Sequence, residues 1–325
     1  MGSAHRGSAA GLVLHPSKPV DRSVETIMAF TRTHEVRVVA REVDRDRVPG
    51  GVDLVSEGEF VGGVDFVVAL GGDGTMLGAM RLMVGRPVPV LGVNHGNLGF
   101  LVEVIPEALP SALERLTEGD FTIERHACLE AEGTGGIATR FGFNDVVLGR
   151  PGRVGAVSVD LIVNDQRFGY YRCDAVVVST PTGSTAYSYA AGGPILSPSS
   201  DAVVITPVAP MSGVSRPVVL GAQDRVRFTV AQDSAPVAVD VDGIPSGALG
   251  HGDELAAVLR REAAHVVRFS SAEHAGRSSV KLSLLDLPLR PDQLLELIPP
   301  DLRRDAARLR DRAPGTSWHP PPDEP

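Results

Sequence analysis

The sequence predicts a Rossmann-like α/β domain followed by a β-rich, sandwich-like domain, and three observations lead there. Residues 12–120 alternate short apolar runs with amphipathic stretches, the pattern of a parallel sheet covered by helices. From residue 121 the helical period gives way to short alternating runs separated by turn residues, as in antiparallel sheets. Glycine-rich segments follow several of the apolar runs, where open α/β sheets bind their ligands. A chain of 325 residues is long enough for two domains.

In order, residues 12–15 read as a strand, and 19–33 as a helix with Val24, Ile27, Met28 and Phe30 on its apolar side. Strands follow at 36–40 and 65–70, then a helix at 76–83, a strand at 88–93 and a helix at 106–117. The second half has strands at 157–163 and 167–171 around an Asn164-Asp165 turn, and a buried run at 174–178. Further strands are expected at 202–206, 216–220, 225–230, 237–241 and 254–259. A strand at 281–285 and a helix at 291–298 come last, before a flexible tail containing Pro320-Pro321-Pro322.

The composition is that of an ordinary globular chain, 43% hydrophobic and 22% charged. A formal net charge of -9 counts against a nucleic-acid binder that works by neutralising phosphates, and against docking on an anionic membrane. No apolar stretch approaches the ~18 residues of a membrane span. The run Gly11-Leu12-Val13-Leu14 is too short for a signal-peptide core. Cys128 and Cys173 are too few for a disulfide framework, so reduced thiols in a cytoplasmic protein are expected.

Gly71-Gly72-Asp73-Gly74-Thr75 lies between a strand and a helix. A glycine turn at a helix start brings backbone N–H groups to phosphate oxygens. The acid is the unusual part, because a carboxylate repels phosphate. Asp73 can approach through a divalent cation or take a proton from an attacking hydroxyl, and both point to phosphoryl transfer. A helix cap is the plainer alternative.

A second segment is Ser179-Thr180-Pro181-Thr182-Gly183-Ser184-Thr185-Ala186-Tyr187-Ser188, with seven hydroxyls in ten residues, followed by Gly192-Gly193-Pro194. Its hydroxyls are expected to serve ribose and phosphate oxygens, and Tyr187 to stack on a base. A Ser/Thr-rich helix cap is its alternative. Asn144-Asp145 can read a ribose diol or an adenine edge, although such pairs are more often turns. Asp242-Gly243 reads as a hairpin turn, and His95 as a loop residue. The chain has no G-x-x-x-x-G-K-[ST], H-E-x-x-H or G-x-S-x-G motif, which excludes the P-loop, zincin and hydrolase-elbow readings.

Taken together these segments resemble the NAD kinases, which phosphorylate the 2′-hydroxyl of the adenosine ribose of NAD. The resemblance rests on Gly71-Gly72-Asp73-Gly74-Thr75, VLGVNHGNLGFLVE at 90–103, Asn144-Asp145 and STPTGSTAYSYAAGGP at 179–194, in that order. Arg216-Pro217 and Asp242-Gly243 fall where the family has similar pairs, and the likeness spans roughly residues 12–269. Lipid kinases and phosphofructokinase-type enzymes share the glycine-Asp motif, whereas the Thr/Ser-rich segment is far more specific.

The resemblance implies an α/β domain at 11–120, a β-rich NAD-binding domain at 121–269, a segment at 270–300 packing back on the first domain, and a tail at 301–325. It also implies NAD and ATP (or polyphosphate) as ligands, Mg²⁺ or another divalent cation arriving with the donor rather than on a site built by the protein alone, and a homodimer or homotetramer. Carried over by motif, Asp73 would orient and deprotonate the 2′-hydroxyl. Gly71, Gly72, Gly74 and Thr75 would form the phosphate-approaching loop, and Phe100 would line the adenine pocket. Asn144 and Asp145 would hold NAD through its ribose and adenine, with Asp174 toward the nicotinamide end. Thr182, Thr185, Ala186 and Tyr187 would enclose the adenosine.

The chain departs from the family pattern in places. Asp145 stands where Glu is usual, Ala175 replaces a common Gly, Met211 sits where His is frequent, and Asn94-His95-Gly96-Asn97 is an unusual version of its loop. Two other readings share some of these features: a nucleotide-sensing module without turnover, and a lipid kinase. The acidic charge and the lack of a membrane-engaging segment count against the second.

Overall fold

The computed structural model describes residues 8–96, 99–152 and 155–270. The strand expected at 281–285, the helix at 291–298 and, apart from Ser270, the segments at 270–300 and 301–325 lie outside the described residues. Five parallel strands come first: β1 (Ala9–Leu14), β2 (Arg37–Arg41), β3 (Asp53–Val55), β4 (Phe66–Gly71) and β5 (Pro89–Asn94), in the order β5-β4-β1-β2-β3. Four helices cover them: α1 (Asp21–His34), α2 (Glu57–Gly63), α3 (Asp73–Leu82) and α4 (Leu109–Glu118).

The period-two alternation of the strands decides which helix lies on which face. Leu12 and Leu14 of β1, with Val68 and Leu70 of β4, pack with Val24 and Ile27 of α1 and Leu113 and Leu116 of α4. Val13, Val67 and Ala69 point the other way and pack with Phe60 of α2 and Met76 and Met80 of α3. The buried positions of α1 (Val24, Ile27, Met28, Thr31) recur at helical spacing, as one stripe facing the sheet requires.

The second half contributes β6 (Thr122–Gly133), β7 (Arg140–Gly142), β8 (Asp145–Gly149), β9 (Val157–Val163), β10 (Gln166–Cys173) and β11 (Ala175–Ser179), then the short α5 (Tyr187–Ala190). It continues with β12 (Ala202–Val208), β13 (Ser212–Gly213), β14 (Val218–Gly221), β15 (Val226–Val230), β16 (Val237–Val241), β17 (Ile244–Leu249) and β18 (Glu254–Arg268). Six of these form an antiparallel sheet in the order β14-β12-β11-β8-β16-β17. Its inner face, including Val146, Leu148, Val176, Val178 and Ile205, packs against Val159, Leu161, Tyr171 and Phe228 of the other sheet. That is the expected sandwich.

The expected α/β and β-rich regions share one twelve-stranded sheet. The cause is β18, which runs well past the expected 254–259. Its first part pairs antiparallel with β15 (Val226 opposite Ala257), and its last part pairs parallel with β5 (Val90 opposite Val266). A register shift between Arg260 and Ala264, with Glu262 at a φ of 50°, lets one strand serve both. Residues up to Phe269 form one compact unit.

Short or mixed-pattern elements escape the sequence reading. Helix α2 contains three glycines in seven residues but is fixed by a capping box: Glu59 N–H donates to Ser56 Oγ at 3.3 Å, and Ser56 N–H to the Glu59 carboxylate at 3.0 Å. The pattern likewise predicts none of β3, β6, β7, β8, β13 and β17; β17, with Pro245, Ser246 and Gly247, carries turn residues inside a strand. Among the described residues, no helix is long and apolar enough to cross a membrane.

Candidate active site

Strand β4 ends at Gly71 and α3 begins at Asp73, so Gly72 alone makes the turn. A Cβ on Gly71 would lie 2.0 Å from Thr75 Oγ1, whereas Gly72 and Gly74 have nothing within 4 Å of that position. Packing therefore explains the first glycine, and the other two leave the backbone open to approach. The first N–H groups of a helix lack intrahelical acceptors and carry its positive dipole end. Here that turn lines a cavity of about 580 Å³, together with His15, Lys18 and Arg41. Thr75 Oγ1, in the same wall, is buried without a hydrogen-bond partner.

Two histidines near this cavity are poor candidates for a base. His15 Nδ1 accepts the N–H groups of Ser17 and Lys18 at 3.1 and 3.0 Å, and burial, then Lys18 and Arg47, depress its pKa. His95 lies 3.1 Å from Ser23 Oγ, with its pKa lowered by burial and then by Lys18. The His95 backbone N–H donates to Gly71 O at 2.7 Å, so His95 is the loop residue expected of it.

Asp73 opens α3 but does not cap it; the cap position is Gly72, with no side-chain cap bond. The Asp73 carboxylate reaches instead to the segment after β5, accepting the N–H of Phe100 at 2.9 Å and of Leu101 at 3.0 Å. Gly99 makes room for it, since a Cβ there would lie 2.1 Å from Asp73 Oδ1. Arg268 grips the same segment from β18. It donates to the carbonyls of Leu101 and Phe100 at 2.8 and 3.4 Å and pairs with Glu103 at 3.3 Å and Glu124 at 2.5 Å. Glu124 is 3.3 Å from His126 Nε2, and His126 Nδ1 is 3.5 Å from Thr182 Oγ1. Burial pushes the Glu124 carboxyl up, but His126 and Arg268 outweigh it and hold it far below the usual range. A row of polar groups thus runs from Asp73 to the Thr/Ser-rich loop.

Asn144-Asp145 is the entry to β8 rather than a free turn, with Asp145 paired opposite Ser179 of β11. The N–H groups of Phe143, Asn144 and Asp145 donate to the Asp242 carboxylate at 3.0, 2.7 and 3.2 Å. Arg81, near the end of α3, pairs with Asp242 at 2.6 Å, and the Asp242 side chain is 0% exposed. Asp145 is itself buried. Burial, then the neighbouring Asp242 charge, raises its pKa to about 6, against the opposing effect of the Tyr187 N–H.

The Thr/Ser-rich loop closes on the same knot. Thr180 N–H donates to Asn144 O at 3.0 Å and Thr180 Oγ1 to Phe143 O at 2.6 Å, while a Cβ on Gly183 would lie 1.9 Å from Asn144 O. The expectation that this loop's hydroxyls serve a ligand is corrected for Thr180, Ser184 and Ser188, three of the seven. Ser184 Oγ donates to Pro181 O at 2.6 Å and accepts Leu196 N–H at 2.9 Å; Ser188 Oγ and Thr206 Oγ1 are 2.8 Å apart. These buried hydroxyls bond their own backbone and neighbours, because a loop this tight leaves polar groups that water cannot reach. Thr182, Thr185 and Ala186 keep part of their surface, and Tyr187 is exposed.

The predicted residues therefore fall into three groups. Gly71, Gly72, Asp73, Gly74, Thr75 and Phe100 meet around the turn before α3. Asn144, Asp145, Thr182, Thr185, Ala186 and Tyr187 meet where β8 and β11 adjoin α5. Asp174 stands apart, paired with Arg150 at 2.9 Å. It precedes β11, five residues and so about 17 Å of strand before Ser179, the residue opposite Asp145. Lys18, Arg41, Arg268 and the buried role of Asp242 were not read from the sequence. Lys18 left one signal, a cation just beyond the carboxyl end of the first strand. Among the described residues, no group of three or more His, Cys, Asp or Glu side chains could hold a metal ion.

Comparison with known proteins places this arrangement. Residues 19–121 match the family described as the ATP-NAD kinase N-terminal domain, and residues 143–269 the ATP-NAD kinase C-terminal domain. An NAD kinase from Gemmatimonas aurantiaca is 38% identical over 239 residues, covering 71% of this chain and 82% of that protein. One from Heliobacterium modesticaldum is 37% identical over 272 residues, covering 79% and 91%. Of solved structures, yeast NADH kinase complexed with NADH is similar with a TM-score of 0.76 and 25% identity, over 88% of this chain and 90% of that one. An NAD kinase from Archaeoglobus fulgidus in complex with ATP, 23% identical over 82% and 95% of the two chains, has a TM-score of 0.63 and shares the fold.

Proposed function

The chain belongs to the NAD kinase family, and on that premise we propose that it transfers the terminal phosphoryl group of ATP to the 2′-hydroxyl of the adenosine ribose of NAD, with Asp73 as general base. The observation that carries this reading is the carboxylate of Asp73, held by two backbone N–H groups in the wall of a cavity that also contains Lys18 and Arg41.

In this reading the donor's phosphates lie over the first turn of α3, where N–H groups and Lys18 offset their charge, while Arg41 is already paired with Asp44 at 3.2 Å. Asn144 and Asp145 hold the ribose and adenine of NAD, Thr182, Thr185, Ala186 and Tyr187 enclose the adenosine, and Asp174 lies toward the nicotinamide end. The Asp73 carboxylate, oriented by the N–H groups of Phe100 and Leu101, takes the ribose proton. The hydrogen bonds fix where that proton is taken, and base assistance of this kind contributes ~10²–10⁴ in rate. Alignment of the hydroxyl with the phosphoryl group supplies the rest. The oxygens of Asp73 and of the unpartnered Thr75 hydroxyl suit a Mg²⁺ that keeps several waters and arrives with phosphates; bound there, it would neutralise charge on the donor.

Incubating the protein with NAD, ATP and Mg²⁺ and measuring NADP tests the proposal, with polyphosphate in place of ATP to determine the donor. NAD binding with no product would leave a nucleotide-binding module in its place. A homodimer or homotetramer is supported by exposed Phe168, Tyr170 and Met211 around the β10–β13 edge of the large sheet; light scattering measures it. A cytoplasmic location is supported by two unpaired buried cysteines, whose thiols burial pushes up to about 12.

A further inference from the structure

Asp242 does more than a hairpin turn requires. With Gly243 it forms the two-residue turn between β16 and β17, at φ values of 47° and 73°, and any residue tolerant of that conformation would serve there. A turn residue needs no buried charge, and burying a carboxylate is costly unless it is fully paired. Yet the Asp242 side chain is 0% exposed. Three successive N–H groups, from Phe143, Asn144 and Asp145, converge on it, and Arg81 completes the set. Successive amides arranged in this way form an anion nest, here occupied by the protein's own carboxylate.

The placement of Arg81 gives this nest a consequence. Asp73 and Arg81 are the first and ninth residues of α3, about 12 Å apart along the helix axis. One helix thus carries the proposed base at its start and, near its end, the cation that pairs with Asp242. Phe143 is buried in the same cluster as Met76 and Met80 of α3, so packing supports the ionic tie.

We propose that Asp242 is a positioning residue for the acceptor: by anchoring the amides of residues 143–145 and pairing with Arg81, it sets Asn144 and Asp145 in register with the helix that carries Asp73. The role rests on the proposed reading in which Asn144 and Asp145 hold NAD. Steady-state kinetics on Asp242→Asn and Arg81→Gln, varying NAD and MgATP separately, test it. Both variants are expected to raise KM for NAD by about tenfold or more while KM for ATP stays within about twofold. A role in general stability alone would reduce kcat through the active fraction and leave both KM values unchanged, and that result would overturn the proposal. Arg81 is partly exposed, so Arg81→Gln decides the matter if Asp242→Asn does not fold. Hydrogen exchange provides a readout independent of turnover. Loss of protection at the amides of Phe143, Asn144 and Asp145 in Asp242→Asn, with β11 unchanged, is expected, and unchanged protection would refute the anchoring. If the wild type makes no NADP, the exchange result still decides whether Asp242 anchors the loop, and the proposed activity fails separately.

Discussion

Asp73 and Asp145 are two carboxylates in opposite circumstances. Asp73 is held by two backbone donors, so Asp73→Asn replaces one acceptor oxygen with an NH₂ that faces an N–H. The fold should survive with a loss of about 1–3 kcal/mol, while kcat falls at least about a hundredfold. Thermal melting and NADP assays separate the two effects, and near-normal turnover would remove Asp73 as the base. Asp145 is buried beside Asp242, whose charge is shared with Arg81, and its pKa rises from 3.8 to about 6. Folding therefore favours its protonated form. That contribution is complete below the unfolded value and is lost as pH rises through about 6. Asp145→Asn should thus raise the Tm at about pH 8, lose that gain below about pH 4, and bind NAD more weakly throughout. A melting series across pH checks the sign. The Gly-Asp motif made Asp73 a candidate from sequence; nothing adjacent in sequence announced the environment of Asp145, because Asp242 lies 97 positions away.

At the scale of elements, the turns are more constrained than their residue types suggest. Gly99 has no exceptional conformation, yet a Cβ there would lie 2.1 Å from Asp73 Oδ1. Gly99→Ala should displace the carboxylate and cost activity comparable to Asp73→Asn, with the far-UV circular dichroism of the helices unchanged. Retained activity would show that Asp73 tolerates the shift. The strand–turn–helix order around Gly72 was legible because an apolar run, glycines and a helical pattern are local signals. The alternation in β1 and β4 was equally legible as buried strands. Helix α2 and strand β17 were not, since their glycine, proline and serine content contradicts their state, and neighbouring strands and caps override it.

For the whole molecule, Arg268 is the joint. It is 4% exposed, comes from the last described strand, and binds Glu103, Glu124 and two carbonyls of the segment that holds Asp73. Arg268→Ala removes the buried guanidinium that Glu103 and Glu124 share and should cost about 3–5 kcal/mol, read from chemical denaturation. Glu124 is held far below its ordinary pKa, so its contribution is present above the usual carboxylate value and is lost as pH falls from there toward its depressed folded value. Acid is therefore expected to lower the denaturation midpoint of the wild type by more than that of Arg268→Ala, which starts lower. Denaturation midpoints taken at neutral and acid pH compare the two slopes.

The two textures of the chain, the glycine turn that presents Asp73 and, through four ordered segments, the family are all legible in the amino-acid sequence. Those are local matters: periodicity, turn chemistry and residue type are carried within a dozen or so positions. It takes the fold to join both regions in one sheet through β18, to turn Thr180, Ser184 and Ser188 inward, to bring Lys18 and Arg41 into the cavity that Asp73 lines, and to bury Asp242 among three amides. Each of these depends on pairing between distant segments, where burial changes what a polar group must do. A carboxylate removed from water is costly until it finds a partner within about 3 Å, and which partner it finds is set by the fold.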